Sequence, residues 1–121
     1  MTWVYSITSG QLSHDGTHIG IGYSGFGEGK NNIEMVSVED IGPIPTGLWN
    51  ISPAYDDPSK GPCVMRLTPQ KGTETYGRDG FLIHGDSRTH PGFASHGCVI
   101  LGPFIRQQIA NGPDKTLQVI V

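Results

Sequence analysis

Closely spaced glycine and proline residues are the feature that most restricts how this sequence can fold. The 121 residues include 18 Gly and 9 Pro, which favour short strands joined by tight turns over long helices. Trp3, Tyr5 and Ile7 alternate with Thr2, Ser6 and Thr8, and Asp15-Gly16 is a strong signal for a two-residue hairpin turn. We therefore predict a mainly β protein, and the chain length predicts one domain over residues 1–121.

Short apolar runs between turn signals predict further strands in the chain. These runs are Met35–Val38, Leu48–Ile51, Val64–Leu67, Gly80–His84, Cys98–Leu101 and Thr116–Val121. Trp49 and Ile51 share one strand face and are expected in the core. One helix is predicted to begin at Pro103 and to end at Asn111-Gly112.

Charge and hydropathy exclude several classes of partner. Eight Lys and Arg against eleven Asp and Glu give a net charge of −3, and the basic residues are scattered, so nucleic acid and anionic membrane are not expected partners. The first dozen residues lack the basic and apolar regions of a Sec signal, and no run approaches the ~18 apolar residues of a membrane span. We expect no signal peptide and no membrane insertion.

Cys98 is the strongest candidate for chemistry in the sequence. A thiol attacks a carbonyl as the thiolate, so it needs a nearby base, and His is the natural base near neutral pH. His84 stands at the end of a predicted strand on which Leu82 and His84 share a face, and residues 85–97 are long enough to return the chain beside it. A contact between Cys98 and His84 is therefore expected.

The residues around this pair are candidate oxyanion or substrate-binding groups. The N–H groups of Gly97 and Cys98 are placed to face a developing oxyanion, and Ser95 and His96 are expected to line the entrance. Asp86, after Gly85, either orients His84 as a third catalytic member or caps the loop. We favour the loop role for Asp86 and expect a backbone carbonyl to orient His84.

Two other interpretations of Cys98 follow from the same residues. A lone Cys ahead of Val99-Ile100-Leu101 is often a small buried hydrophobe. A zinc hydrolase would draw on four ligands that lie within fifteen residues, namely His84, His90, His96 and Cys98. The spacing lacks a CxxC, HxH or HExxH core, so we expect no metal and no other cofactor.

Two separated motifs resemble one enzyme family. Ile83-His84-Gly85 followed by Ser95-His96-Gly97-Cys98-Val99 resembles the signature of L,D-transpeptidases of the YkuD type, and Pro45–Ile51 is similar to the strand that precedes it in that family. Glycine-containing segments across most of the chain look like the small L,D-transpeptidase effectors (Tlde) of type VI secretion systems. These segments are Gly22–Gly25, Gly29–Asn32, Gly42–Pro45 and Ile83–Asp86.

The resemblance implies a fold, an activity and a setting. It implies a compact β-sandwich or barrel with one short C-terminal helix, Cys98 as nucleophile and His84 as base. The implied substrate is the tetrapeptide stem of peptidoglycan, cleaved between meso-diaminopimelate and D-Ala, with water or another D-amino acid as acceptor. It further implies delivery by the type VI secretion apparatus, action in the periplasm of a target cell and a cognate immunity protein.

One departure from the family pattern concerns an arginine. Many YkuD-type enzymes carry Arg shortly after the cysteine, whereas Val99-Ile100-Leu101-Gly102 follows here, and Arg78 or Arg88 is expected to replace it. A non-catalytic cell-wall binding module that kept the fold is the remaining alternative, although binding alone does not require both His84 and Cys98.

Overall fold

The computed structural model describes residues 2–121, which form ten strands, two 3-10 helices and one α-helix. The strands are β1 (Trp3–Ser6), β2 (Gln11–His14), β3 (Thr17–Ile21), β4 (Tyr23–Ser24), β5 (Gly47–Ile51), β6 (Tyr55–Asp57), β7 (Gly61–Pro69), β8 (Leu82–His84), β9 (Val99–Ile100) and β10 (Thr116–Ile120). The 3-10 helices cover Gly27–Gly29 and Ile33–Met35, and the α-helix, α1, covers Pro103–Asn111. The predicted mainly β architecture with one short helix is confirmed.

The sheet is nearly closed on itself. Its strand order is β3-β2-β1-β10-β5-β7-β8-β9-β4, with β6 paired to β7 off this path. The two end strands, β3 and β4, are consecutive in the chain and separated only by Gly22, whose N–H donates to the carbonyl of Gly10 at 2.8 Å. A Cβ at Gly22 would lie 2.0 Å from the carbonyl oxygen of Ile100, so only glycine allows this close approach.

The core lies inside this curved sheet, where alternate residues of each strand point inward. Trp49 is fully buried and packs edge-to-face on Phe81 with ring centroids 5.1 Å apart, and Ile51 is also buried. The predicted core positions of Trp49 and Ile51 are therefore confirmed. Burying a side chain such as Ile or Phe, instead of leaving it exposed, adds on the order of 2 kcal/mol to the free energy of unfolding.

Helix α1 packs against the core cluster through its apolar residues. Ile109 is fully buried, and Ile105 approaches β3 so closely that a Cβ at Gly20 would lie 2.2 Å from its Cδ1. The predicted start at Pro103 is confirmed, and Gly112 is the C-cap. No helix within residues 2–121 has the length and hydropathy needed to cross a membrane.

The strand predicted at Met35–Val38 is wrong. Residues 33–35 form a 3-10 helix instead, capped by Asn32, whose side-chain oxygen accepts a hydrogen bond from the N–H of Glu34 at 3.1 Å. Turn hydrogen bonds continue it, because the N–H of Gly42 donates to the carbonyl of Val38 at 2.9 Å. The alternation of apolar residues there therefore reflects a compact turn rather than a strand.

Candidate active site

Strands β8 and β9 bring the His84 and Cys98 segments together. They pair in parallel with Ile83 opposite Val99 and His84 opposite Ile100. Ile83 and Val99 are fully buried in the core, so the neighbouring positions of each strand point to the other face. His84 and Cys98, the residue before β9, therefore share a face as diagonal neighbours on adjacent strands.

That face opens into two adjoining cavities. The smaller one, of about 160 Å³, is lined by Cys98 and Gly97 among others, and the larger one, of about 1020 Å³, extends away from the cysteine past Gly85. Lys60, His84 and other residues line both. His84 thus stands where a small pocket around the thiol meets a wide cleft.

The His84 ring is buried and fixed in one orientation. Only 2% of the residue is exposed, and Nδ1 lies 2.8 Å from the carbonyl oxygen of Gly85. This contact assigns the proton to Nδ1, and Nε2, buried with no hydrogen-bond partner in residues 2–121, is left as an acceptor. Burial lowers the pKa of His84, and the positive charges of Lys60 and Arg106 lower it further. The expected backbone carbonyl partner of His84 is confirmed as Gly85.

The Cys98 thiol is half-buried and protonated at rest. Burial raises its pKa, although the N–H of Leu82 and the positive charges of Lys60 and Arg78 partly oppose that shift. The sulfur lies 3.8 Å from the carbonyl oxygen of Gly80, and His84 Nε2 has no hydrogen-bond partner in residues 2–121, so the expected contact between Cys98 and His84 is not formed as a hydrogen bond. Thiolate formation at neutral pH therefore requires a base. His84 is neutral at the same pH, so its imidazole is in the form that accepts a proton.

Ser95 is predicted to line the entrance to the site, but in the structure it is buried. It is fully buried, and its hydroxyl accepts from the N–H groups of Gly25 and Gly97 at 2.9 and 3.1 Å while donating to the carbonyl of Cys98 at 2.6 Å. Ser24, also fully buried, donates to the carbonyl of Gly97 at 2.9 Å. The Gly97 N–H is thus occupied, which corrects its assignment as an oxyanion donor.

Arg78 supports the same turn from beneath. Gly97 has φ +132°, and a Cβ there would lie 2.7 Å from Nη2 of Arg78. The guanidinium donates to the carbonyl oxygens of Val36, Gly42 and Pro43, the last two at 2.9 Å. Because these carbonyls already occupy it, Arg78 positions backbone and does not present a free cation to the cleft.

Asp86 caps the loop, as predicted, rather than contacting His84. Its carboxylate accepts from the Tyr23 hydroxyl at 2.6 Å and from the N–H groups of Ser87 and Gly92 at 2.8 and 3.1 Å. Burial alone would raise the pKa of Asp86, but these hydrogen bonds outweigh it and hold the pKa below its ordinary value. The Tyr23 oxygen in turn accepts from the N–H of Ala94 at 3.0 Å, so the two side chains together fix the loop between β8 and β9.

His96 lies at the rim of both cavities, in agreement with its predicted place at the entrance. Its ring stacks on Phe26 with centroids 4.9 Å apart, and Nδ1 lies 3.0 Å from the carbonyl oxygen of Asp40. These contacts attach the glycine-rich segment that contains Phe26 to the cysteine turn.

The zinc ligands of the alternative interpretation do not assemble. His90 is exposed, with Nδ1 3.0 Å from the hydroxyl of Thr89. Within residues 2–121, one group of three or more His, Cys, Asp or Glu side chains has all its ligand atoms within 4.8 Å, and it is His14, Asp15 and Asp114. No member of that group was among the predicted ligands.

Three residues at the site escaped sequence-based prediction, namely Ser24, Lys60 and Arg106. Ser24 stands inside the Gly22–Gly25 motif, but its partner Gly97 is distant in sequence. Arg106 lies against Gly85, where a Cβ would be 2.7 Å from its Nη1. Gly85, directly after His84, was therefore the sequence signal that a bulky group packs against the backbone at that position.

The fold defines the class of protein to which this chain is similar. The L,D-transpeptidase (Yku) of Stackebrandtia nassauensis superposes with a TM-score of 0.59 and 18% identity over 99% of this chain and 55% of that one. L,D-transpeptidase 1 of Mycobacterium tuberculosis gives 0.56 and 16% over 99% and 61%. The chain has an L,D-transpeptidase fold and spans between half and two-thirds of these two proteins.

A family model gives the narrower assignment. The Tlde1 domain model matches residues 19–116, so the chain belongs to the Tlde1 domain family. This confirms the resemblance to small L,D-transpeptidase effectors of type VI secretion systems. A search of curated proteins finds no match.

Proposed function

We propose that this protein is a cysteine L,D-carboxypeptidase that removes the terminal D-Ala from peptidoglycan tetrapeptide stems and exchanges it for other D-amino acids. The observation that carries the proposal is the shared face of His84 and Cys98 on paired parallel strands, at a common pocket. His84 has Nδ1 held by the Gly85 carbonyl and Nε2 left without a partner in residues 2–121. That state of a histidine suits a general base.

Acylation begins from a neutral pair of thiol and imidazole. His84 Nε2 takes the Cys98 proton as the sulfur attacks the carbonyl of meso-diaminopimelate, and the Cys98 N–H stabilises the oxyanion. The carbon–nitrogen bond then breaks, and the proton passes from His84 to the amine of D-Ala. An acyl group remains on Cys98 as a thioester.

Deacylation uses the same histidine in reverse. Water or the amine of a D-amino acid attacks the thioester, His84 takes the proton from the attacking group, and the Cys98 sulfur leaves as a thiol. The cavity of about 1020 Å³ beside His84 gives both acceptors access. Hydrolysis and exchange therefore compete for one intermediate.

Family membership supports a biological setting for this chemistry. A Tlde1 protein is a type VI secretion effector, so we place the action of this protein in the periplasm of a target cell after delivery by the secretion apparatus. A cognate immunity protein would protect the producing cell by blocking the cleft. Capture of such a partner by the purified protein would test this setting separately from the chemistry.

The products formed from a purified disaccharide-tetrapeptide test the proposed reaction. Mass spectrometry should find the disaccharide-tripeptide and free D-Ala in equal amounts. With excess D-Met added, a tetrapeptide carrying D-Met in place of D-Ala should appear, because both acceptors attack the same thioester. Cleavage of any other stem bond, or no cleavage, would contradict the proposal.

A further inference from the structure

Arg106 is a buried cation that the proposed chemistry does not use. It lies in α1 and is only 6% exposed, yet it lines the larger cavity together with His84 and Gly85. Its guanidinium lies against Gly85, where a Cβ would be 2.7 Å from Nη1 and 3.0 Å from Nη2. The charged group thus stands next to the backbone that orients His84.

This guanidinium has few partners within the described residues. Nη1 donates to the carbonyl oxygen of Pro62 at 3.4 Å, the long limit of a hydrogen bond, and the buried Nε has no partner in residues 2–121. The ion pairs found in that part of the chain involve His14 rather than Arg106. Burying a guanidinium without a negatively charged partner costs free energy. We therefore expect an anion to bind beside Arg106 in the cleft.

The surroundings of Arg106 favour an anion as well. Gly102 and Pro103, at the N-terminus of α1, line the same cavity. No side chain caps that nine-residue helix, and its first turn holds no acidic residue, so the positive end of the helix dipole is unopposed. Lys60 and Arg88 add positive charge to the lining. The one acidic residue there, Asp86, already accepts hydrogen bonds from the loop.

The position of this site relative to the reaction identifies the anion. His84 delivers its proton to the amine of the leaving D-Ala, and Arg106 lies against the residue next to His84 on the side of the large cavity. The carboxylate of D-Ala is two bonds from that amine. The leaving group and its carboxylate therefore fall on the Arg106 side of the cleft.

We propose that Arg106 and the N-terminus of α1 form a subsite for the C-terminal carboxylate of the leaving D-amino acid. This inference rests on the proposed function and restricts it, because the subsite accepts only the last residue of a stem. The same subsite holds the carboxylate of an incoming D-amino acid during exchange. The protein is thus a trimming and exchanging enzyme that requires a free C-terminus.

Two substrates that differ only at the C-terminus test the subsite. The wild-type protein is given a disaccharide-tetrapeptide ending in D-Ala and its analogue ending in D-Ala amide, and kcat/KM is measured for each. We expect a preference for the acid of at least ~30-fold, because the amide leaves the buried guanidinium without its charged partner. Arg106→Gln should lower kcat/KM for the acid to near the amide value, whereas Arg66→Gln, an exposed arginine on β7, should keep the preference.

The outcomes separate the subsite from the reaction. Equal wild-type kcat/KM for the acid and the amide would overturn the subsite and leave the carboxypeptidase intact. Turnover of neither substrate would overturn the proposed function itself. Since the wild-type ratio needs no variant, a failure of Arg106→Gln to fold would not affect that result. A folded Arg106→Gln protein that kept the full preference would also overturn the subsite.

Discussion

Cys98→Ala should lower the release of D-Ala from a disaccharide-tetrapeptide by at least ~10³-fold, because the variant lacks the thiol proposed to form the acyl intermediate. The side chain is half-buried beside the cleft and makes only a long sulfur contact with the Gly80 carbonyl. Its removal should therefore cost about 1 kcal/mol of unfolding free energy or less. Release of D-Ala measured by coupled oxidation, with thermal unfolding in parallel, gives both quantities.

The second cysteine supplies a matched control for this variant. Cys63 is a free thiol on β7 and lines neither cavity around His84. Cys63→Ala should retain wild-type turnover. If Cys98→Ala kept more than a small fraction of the activity, or if Cys63→Ala lost it, the assignment of the nucleophile would be wrong.

His84→Gln should lower kcat by about 10²–10⁴-fold, the usual contribution of a positioned general base. Burial lowers the pKa of His84 below its ordinary value, with Lys60 and Arg106 adding to the effect. A lowered pKa keeps the imidazole neutral further into acid, so the acid limb of the wild-type kcat/KM profile should lie below the ordinary histidine pKa. Measurement of kcat/KM against pH gives this limb.

The same variant should respond to pH differently at the alkaline end. Without the base, thiolate forms only by loss of a proton to solvent, and burial raises the pKa of Cys98. Activity of His84→Gln should therefore keep rising towards alkaline pH. His90→Ala, at an exposed loop position, should behave as wild type, and a large loss there combined with sensitivity to chelators would instead favour a zinc site.

The face of the sheet on which His84 lies could be predicted from sequence because a strand alternates strictly. Phe81 and Ile83 are predicted on one face, and both are buried in the core. Leu82 and His84 then point to the other face, where the cavity lies. The parallel pairing of β8 with β9 was not predictable, because it depends on where the intervening loop returns and not on local periodicity.

The supporting residues could not be predicted, because each depends on contacts between distant parts of the chain. Ser95 is polar and looked like an entrance residue, yet its hydroxyl is buried among backbone groups from two loops. Arg106, a buried cation that lines the cleft, follows the cysteine by eight positions and comes from the helix. Arg78, named from sequence as a replacement, is instead occupied by three carbonyls.

Intact-mass analysis of the protein mixed with disaccharide-tetrapeptide and quenched in acid tests the central claim most directly. The account predicts an adduct equal to the disaccharide-tripeptide acyl group, located by peptide mapping on Cys98 and absent from Cys98→Ala. His84→Gln should accumulate it more slowly. Release of D-Ala with no adduct under any quench time, or an adduct on Cys63, would contradict a thioester mechanism at Cys98.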